Sequence, residues 1–390
     1  MPQSQEQYDA VKDQLNGAWI LVPRVPMGET PGVDTRRGAN QRARWEQRAD
    51  ARKKVAEGAA PDSLPVQQRI LFDGVLGFIS ASPDDRVWTS GSPNWRTRKA
   101  EDYPPDIEVN VRLSDYDYIN SRLTDGDAIE VEFNLPVTIK PGPNTLYNTV
   151  AEIRGTERPD EVVIICAHLD SWDGPGSQGT VDNGTGSAVT LEAARLLAAA
   201  GARPKRTIRF ILWTGEEQGL QGARAYVQQQ KDNWPRISAA FNDDGGTNYQ
   251  GGLAVIREMV PYLAAATAPV NGRFFSEVDN KWLDVNLRVT PRFTQIAASD
   301  HFAFVEVGIP GFFWDEVGRA DYWYAWHTQN DRLDQAIEEY LKQSAICSAV
   351  LAYQLANAPE LLPRWLPEQR TEIEPIAPDG QAGPGQRPRN

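Results

Sequence analysis

Cysteine and histidine are scarce in this chain, which has two cysteines and three histidines among 390 residues. Two cysteines are too few for a disulfide framework. Cys166 lies in a predicted central strand and Cys347 in a late predicted helix, so we expect both to be buried free thiols. The histidines, His168, His301 and His327, each fall within a cluster of polar or acidic residues, which randomly placed surface histidines would not be expected to do.

Basic residues are outnumbered by acidic ones, 40 to 53, which leaves a formal net charge of −13. This balance argues against a nucleic-acid partner. No apolar stretch approaches the roughly 18–20 residues that a membrane span needs. Residues 1–6 lack the charged start and apolar core of a signal peptide, so the location of the protein stays open at this point.

Short apolar runs alternate with helical patterns in the larger, C-terminal part of the chain, which predicts buried parallel strands of an α/β sheet. Two of these runs, residues 162–167 and 207–213, end directly on polar side chains: His168 and Asp170 after the first, Glu216 and Glu217 after the second. Ligands bind beyond the carboxyl ends of the strands in such sheets. We therefore expect these side chains to converge on one crevice.

The N-terminal part, residues 1–135, is predicted to form a smaller β-rich module. Within it, residues 128–135 alternate like a half-exposed strand, and Ser114 is predicted to cap a short helix. Residues 36–54 are basic and predicted to be helical. A solvated helix face is the favoured interpretation of this stretch, and an anion-binding surface is the alternative.

Residues 136–360 form the predicted α/β domain. A long helix over about residues 331–356 is predicted to close it. Residues 361–390 are rich in proline, glycine and arginine, so we predict a disordered tail there.

Imidazoles mixed with carboxylates, without thiolates, suit Zn²⁺, Mn²⁺ or Co²⁺ in a hydrolytic site. A pair of metal ions needs one bridging carboxylate, and at least one further acid and one imidazole for each ion. The chain can supply this set, with Asp182 as the bridge, His168 and Asp244 on one ion, and Glu217 and His327 on the other.

Neighbouring acids are candidates for supporting roles. Asp170 is placed to hold the His168 imidazole from behind as a hydrogen-bond acceptor. Glu216 is left over beside a ligand, as a general base acting on a water molecule requires. Asp243 directly precedes Asp244, and either carboxylate could bind metal.

Each of these signals is weak by itself. A His-x-Asp sequence is more often polar decoration of a surface or core, adjacent glutamates usually begin a solvated helix, and two aspartates before two glycines could be an ordinary turn. His301 at a predicted helix start is as readily a hydrogen-bonding residue as an active-site group. The order and placement of all the elements together are far more specific.

Taken together, the motifs resemble the aminopeptidase-like di-zinc exopeptidases, peptidase family M28, and within them most closely the plasma glutamate carboxypeptidase branch. The resemblance covers roughly residues 148–356 and is carried by Ala167-His168-Leu169-Asp170-Ser171-Trp172-Asp173, Val181-Asp182-Asn183-Gly184, Trp213-Thr214-Gly215-Glu216-Glu217-Gln218-Gly219, Asp244-Gly245-Gly246-Thr247, Ser299-Asp300-His301 and His327-Thr328-Gln329-Asn330-Asp331. It implies the ligand set assigned above, and its alignment favours Asp244 over Asp243.

The resemblance implies a mixed, mostly parallel central sheet flanked by helices, and two Zn²⁺ per chain. It implies a zinc-dependent exopeptidase acting on short peptides as an aminopeptidase, dipeptidase or carboxypeptidase. A hydroxide held between the metals would attack the peptide bond, with Glu216 as general base and His301 near the oxyanion. A non-catalytic receptor-like relative and a glutaminyl cyclase-like acyltransferase with one zinc are the alternatives.

The module over residues 1–135 resembles, less specifically, the protease-associated domain that many family members carry. Members normally have a further peptidase segment ahead of it, behind a secretion signal. We expect that segment to be missing here, which predicts exposed apolar edges, aggregation and lower stability than in a form extended upstream. The resemblance also implies a small peptide as substrate, allows a homodimer, and implies a secreted or periplasmic location if the true N-terminus lies upstream.

Overall fold

The computed structural model describes residues 1–24, 33–88, 106–138, 140, 142–172, 174, 176–293 and 298–364. The described residues fall into two compact units, which adjoin in the sequence at Asn144 and Thr145. Within the described ranges, no helix combines the length and the apolar character needed to cross a membrane.

The first unit contains a small sheet whose three strands run parallel, in the order in which they follow along the chain. These strands are β1 (Trp19–Leu21), β2 (Gly77–Ala81) and β3 (Glu108–Val111). Its helices are α1 (Gln5–Val11), α2 (Val33–Ala56), α3 (Val66–Arg69) and α4 (Leu113–Thr124). The resemblance of this unit to a protease-associated domain stays a prediction.

Residues 128–135 form no strand, so the strand predicted there is wrong. The alternation is nevertheless real, because Ile129, Val131 and Phe133 are half-buried while the residues between them are exposed. The Phe133 ring packs edge-on against Trp19, with ring centroids 4.6 Å apart. Side-chain packing, rather than a hydrogen-bonded ladder, therefore accounts for the pattern.

The short helix α4 is present as predicted, but Ser114 does not cap it. The helix begins at Leu113, and the Ser114 N–H donates to the Asp85 carboxylate at 2.8 Å. The cap role fails because Ser114 lies inside the first turn, and Arg112 occupies the N-cap position without a capping side-chain hydrogen bond.

The basic stretch is helical, as α2 shows, but the described part of its charged face is not simply solvated. The Arg48 guanidinium lies 3.6 Å from the centre of the Phe78 ring and 2.9 Å from the Glu108 carboxylate. Arg48 is 6% exposed, and Ala51 on the same helix is fully buried. Carboxylates of the same unit thus neutralise arginines of this helix.

The second unit contains most of the regular structure. Its strands are β4 (Thr149–Ile153), β5 (Arg158–His168), β6 (Arg206–Trp213), β7 (Ile237–Asn242), β8 (Tyr249–Val255), β9 (Phe275–Ser276), β10 (Lys281–Trp282), β11 (Asn286–Val289), β12 (Gly311–Phe313) and β13 (Asp315–Val317). Its helices are α5 (Thr185–Ala199), α6 (Gln221–Gln229), α7 (Val260–Thr267), α8 (His301–Val305), α9 (Tyr322–Ala325) and α10 (Glu338–Asn357).

Five of these strands form the central sheet, in the order β12–β7–β5–β6–β4. The first four run parallel to one another, and β4 pairs antiparallel with β6 at the edge. A smaller sheet has the order β11–β8–β13, and β9 pairs with β10. The expectation of a mixed, mostly parallel sheet flanked by helices is confirmed.

The central strand β5 shows why the apolar runs are continuous. Val163 and Ile165 face a core that includes residues of α5, α7 and α10, whereas Ile164 and Cys166 face a second core with residues of α6 and α8. A strand covered on both faces needs apolar residues at every position. Cys166 and Cys347 are both buried free thiols, as expected.

Two predictions about the C-terminal part need correction. The last helix begins at Glu338 rather than near Asp331, because Asp331 belongs to the loop that holds the candidate site described below. Leu362, at the start of the predicted tail, is 2% exposed, and its N–H donates to Ser238 Oγ at 3.1 Å, so this residue is packed in place. Residues 365–390 of that tail lie outside the described residues.

Candidate metal centre

Three neighbouring parallel strands end at one edge of the central sheet and deliver most of the polar side chains of the candidate site. His168 is the last residue of β5, Glu217 follows β6, and Asp244 follows β7. Parallel strands place their carboxyl ends at the same edge, which is where ligands bind in open α/β sheets. Asp182 precedes α5, and His327 lies in the loop after α9.

The first group of ligand-type side chains consists of His168, Asp182 and Asp244, all of which are buried. His168 Nε2 lies 2.9 Å from Asp244 Oδ1 and 3.2 Å from Asp182 Oδ1. One imidazole nitrogen thus points between two carboxylates.

The second group shares one member with the first and consists of Asp182, Glu217 and His327. His327 Nε2 lies 3.0 Å from Glu217 Oε2 and 3.1 Å from Asp182 Oδ2. The two oxygens of Asp182 therefore face different imidazoles, as a bridging carboxylate requires. The ring of Trp326 stacks on His327, with centroids 3.7 Å apart.

His168 is held in one orientation by its second ring nitrogen. Nδ1–H donates to the backbone carbonyl oxygen of Asp170 at 2.7 Å, which keeps Nε2 directed at the two carboxylates. The acceptor is not the Asp170 carboxylate, which was the predicted one and lies 3.8 Å from Nδ1. That carboxylate instead accepts the backbone N–H groups of Glu216 and Glu217 at 3.1 and 3.2 Å. Asp170 therefore supports both strand ends, by a route different from the one predicted.

The loop that carries Asp182 is fixed from outside by Asp331. The Asp331 carboxylate accepts the backbone N–H groups of Val181 and Asp182 at 2.5 and 3.2 Å. Asn183 continues this support, because its side chain donates to the Asp243 carbonyl oxygen at 2.8 Å and accepts from a backbone N–H of α5. The loops that carry Asp182 and Asp244 are thereby tied together.

Asp243 and Asp244 diverge, which bears on the choice that the sequence left open. Asp244 points to His168, as described above. Asp243 points away and accepts from Gln250 Nε2 at 2.6 Å, and its carboxyl group lies beside Glu316. The geometry therefore brings Asp244, and not Asp243, into the group of ligand-type side chains.

Glu216, the predicted general base, lies beside Glu217. Burial raises the pKa of Glu216 well above its usual value, and the carboxylates of Asp244, Asp300 and Glu217 act in the same direction, while His168 opposes them. A raised pKa suits a group that must both accept and return a proton near neutral pH. His301 is fully buried at the start of α8, where its ring meets Phe313 edge-on with centroids 5.4 Å apart. It belongs to neither group of ligand-type side chains.

The clustered carboxylates set the electrostatics of the site. Burial raises the pKa of Glu217 to about 7, and the Asp182 carboxylate raises it as well. Burial would lower the pKa of His327, but Glu217 and Asp182 outweigh it and raise that pKa to about 10. In the absence of another cation, a proton on each imidazole thus offsets part of the charge of the surrounding carboxylates.

The donor set fits a pair of divalent cations. Glu217 Oε1 is buried, and no donor among the described residues reaches it. Each group offers one imidazole nitrogen and two carboxylates, the mixture that suits Zn²⁺, Mn²⁺ or Co²⁺. Within each group the ligand atoms lie within 4.8 Å of one another, so one ion could contact all three.

Comparison with known protein families agrees with this geometry. The sequence model of peptidase family M28 matches residues 148–351, more than half of the chain, and all the residues of both groups lie inside that range. The chain belongs to peptidase family M28. Members of this family are zinc-dependent peptidases.

Individual relatives in the family are similar over parts of their length. Carboxypeptidase Q from Mus musculus is 32% identical over 276 residues, which cover 70% of this chain and 55% of the relative. Carboxypeptidase Q from Homo sapiens is 30% identical over 275 residues, with the same coverage. An aminopeptidase from Pseudomonas aeruginosa is 36% identical over 180 residues, which cover 45% of this chain and 31% of the relative. The chain thus spans about half the length of the carboxypeptidase Q relatives.

A solved structure supports the fold. The M28 peptidase precursor from Shewanella amazonensis superposes with a TM-score of 0.57 at 24% identity, covering 80% of this chain and 66% of that one.

Sequence reasoning found the ligand-type residues but missed most of their supports. Asp331 and Asn183 were part of recognisable motifs, yet nothing in the sequence shows that their side chains tie loops together. Glu316 and Gln250 lie in strands and carry no motif. For Gln250, a polar residue in a mostly apolar strand was the available signal, and it does not identify the partner.

Proposed function

We propose that this protein is a zinc-dependent exopeptidase that hydrolyses short peptides and binds two zinc ions per chain. The observation that carries the proposal is the sharing of Asp182 between two groups that each contain one imidazole and one further carboxylate. Two divalent cations, when bound, supply polarisation of a carbonyl group and activation of water. Membership of family M28 and similarity to carboxypeptidases and an aminopeptidase support the same reaction class.

In this proposal each group of the chain has a defined task. His168, Asp182 and Asp244 hold one ion, and Asp182, Glu217 and His327 hold the other. Glu216 accepts a proton from the attacking water and returns it to the leaving amine, for which its raised pKa is suited. His301 is assigned to stabilising the oxyanion.

A single set of assays tests the proposal. The protein is loaded with zinc, its metal content is measured, and it is incubated with a library of dipeptides and longer peptides that are free, blocked at the N-terminus or blocked at the C-terminus. We expect about two zinc ions per chain and release of terminal residues, with the blocked peptides showing which terminus is attacked. Mass spectrometry of the products is the readout.

The same assays separate the alternatives. One zinc per chain together with cyclisation of peptides that begin with glutamine would indicate a glutaminyl cyclase-like acyltransferase. Two bound zinc ions without turnover of any peptide would indicate a non-catalytic relative. Either result would overturn the proposed activity.

A further inference from the structure

Glu316 is a buried carboxyl group with no role in the ligand groups, yet it lies next to one of their loops. It is 5% exposed and belongs to β13, where it pairs across the ladder with Gln250 of β8. Burying a carboxyl group is costly unless its oxygens find partners. The partners of Glu316 are therefore informative.

Glu316 contacts the residues on both sides of Asp244. The backbone N–H of Gly245 donates to Glu316 Oε1 at 3.0 Å. The Glu316 side chain also lies beside the carboxyl group of Asp243. The residue before Asp244 and the residue after it are thus held by one side chain.

The contact depends on Gly245 having no side chain. A Cβ atom on Gly245 would lie 2.6 Å from Glu316 Cδ and 2.8 Å from Glu316 Oε1, closer than real Cβ contacts allow. Gly246 has a different reason to be glycine, because its φ is +100°. Only the second glycine is needed for the turn itself, so the first makes room for Glu316.

Gln250 completes the arrangement from the same side. Its Nε2 donates to Asp243 Oδ2 at 2.6 Å and also to Ser348 Oγ at 2.7 Å. Asp243 is therefore contacted by both Gln250 and Glu316, which pair with each other across the β8–β13 ladder.

We propose that Glu316 is a positioning residue that holds the Asp244 carboxylate in place for the metal ion that Asp244 shares with His168. This inference rests on the proposed metal centre and adds a residue to it. Groups that orient metal ligands typically change metal affinity by about 10–100-fold when they are removed. The effect should fall mainly on one of the two ions, because Glu316 contacts the residue that directly follows Asp244.

Two substitutions at Glu316 separate positioning from charge. Glutamine has an acceptor oxygen for the Gly245 N–H and a donor group for the Asp243 carboxylate, whereas leucine of similar size has neither. In calorimetric titrations of the metal-free protein with zinc, we expect Glu316→Leu to lower the affinity of one of the two sites by about 10–100-fold. Glu316→Gln should bind both ions within about 3-fold of the unaltered protein.

Asp315→Leu is the matched control, because this neighbouring acid of β13 is partly exposed and pairs with Arg288 instead. It should leave both affinities unchanged. If Glu316→Leu does not fold, as circular dichroism would show, Gly245→Ala tests the same contact from the loop side. That substitution should weaken the same single site.

The outcomes separate the two proposals. Loss of zinc binding in Glu316→Gln as large as in a folded Glu316→Leu, retention of both ions by a folded Glu316→Leu, or normal binding by Gly245→Ala would each overturn the positioning role alone. Failure of the unaltered protein to bind zinc would instead overturn the proposed function, and the positioning role with it.

Discussion

At the residue scale, the site depends on which atom of each side chain faces inward. His168 presents Nε2 to two carboxylates because Nδ1–H is occupied by the Asp170 carbonyl oxygen. Asp182 presents a different oxygen to each imidazole. Because each side chain contributes a particular atom to the site, single substitutions at neighbouring residues should have different effects.

Glu216 and Glu217 are adjacent but have different proposed tasks. Glu216→Gln should keep both metal ions and lower turnover by about 10²–10⁴-fold, because the amide cannot accept the proton of the attacking water. Steady-state kinetics and metal analysis measure the two effects. Glu192→Gln is the matched control, since that exposed carboxylate pairs with Arg195 on the surface of α5. Near-normal turnover in Glu216→Gln would show that the base is another residue.

The membership of Asp182 in both groups predicts an asymmetry among variants of the ligand-type residues. Asp182→Ala should remove both metal ions, because each group loses a carboxylate, whereas His327→Ala should weaken mainly one. Metal content after dialysis against limiting zinc is the measurement. The remaining histidine, His301, belongs to neither group, so His301→Asn should retain both ions. A full pair of ions in Asp182→Ala would rule out the bridge.

At the element scale, the site is a set of strand ends and loops that other elements tie down. The end of β6 is held by Asp170, the loop before α5 by Asp331, and the loop after β7 by Gln250 and Glu316. Each tie is a carboxylate or amide that meets backbone N–H groups or another side chain. None of these supports belongs to the ligand groups themselves.

Asp331 should therefore affect the binding affinity for both metal ions, because it holds the loop that carries Asp182. Asp331→Ala removes the acceptor of two buried N–H groups, which we expect to lower the unfolding free energy by about 1–3 kcal/mol and to weaken both ions. Chemical denaturation and zinc titration are the measurements. Asp334→Ala, an exposed acid in the same segment, serves as the control. Unchanged zinc affinity in Asp331→Ala would mean that the loop keeps its shape without this tie.

The elements also show what sequence could predict. The strands over residues 162–167 and 207–213 were predictable because burial on both faces demands an uninterrupted apolar run. The ligand-type residues at the strand ends were then predictable, because parallel strands bring their carboxyl ends to one edge of the sheet. The alternation over residues 128–135 misled, since packing against Trp19 produces the same pattern without a ladder. The start of α10 was placed too early, because Asp331 is committed to a distant loop.

At the scale of the whole molecule, the site draws together segments that are far apart in the chain. Its ligand-type residues extend from His168 to His327 and come from three strand ends and two loops. A cation bound there would join all of these segments in the folded state alone, so metal binding should stabilise the folded protein. At free zinc about a hundredfold above the dissociation constant of a site, the expected gain is about 2.7 kcal/mol for each ion bound.

The stabilisation of the folded protein by zinc should increase as the pH rises. In the metal-free protein, the pKa of Glu217 rises from 4.5 to about 7 on folding. The stability that this protonation gives to the folded protein is therefore lost as the pH rises through about 7. The pKa of His327 rises from 6.5 to about 10, so the stability of its protonated ring is fully present below pH 6.5 and is lost as the pH rises through about 10. The metal-free protein should therefore lose stability through Glu217 between about pH 4.5 and 7, and through His327 between about pH 6.5 and 10.

The zinc-loaded protein should not follow that decline, because bound metal replaces the protons and its ligands are already deprotonated. Thermal melts between about pH 5 and pH 9, with a chelator and with excess zinc, measure the difference. We expect the melting temperature of the chelated protein to fall across this range, and the shift produced by zinc to grow. A variant that lacks the second imidazole, His327→Ala, should show a smaller pH dependence when chelated. A chelated protein whose melting temperature stays constant or rises with pH would contradict the inference that protons on Glu217 and His327 stabilise the metal-free protein.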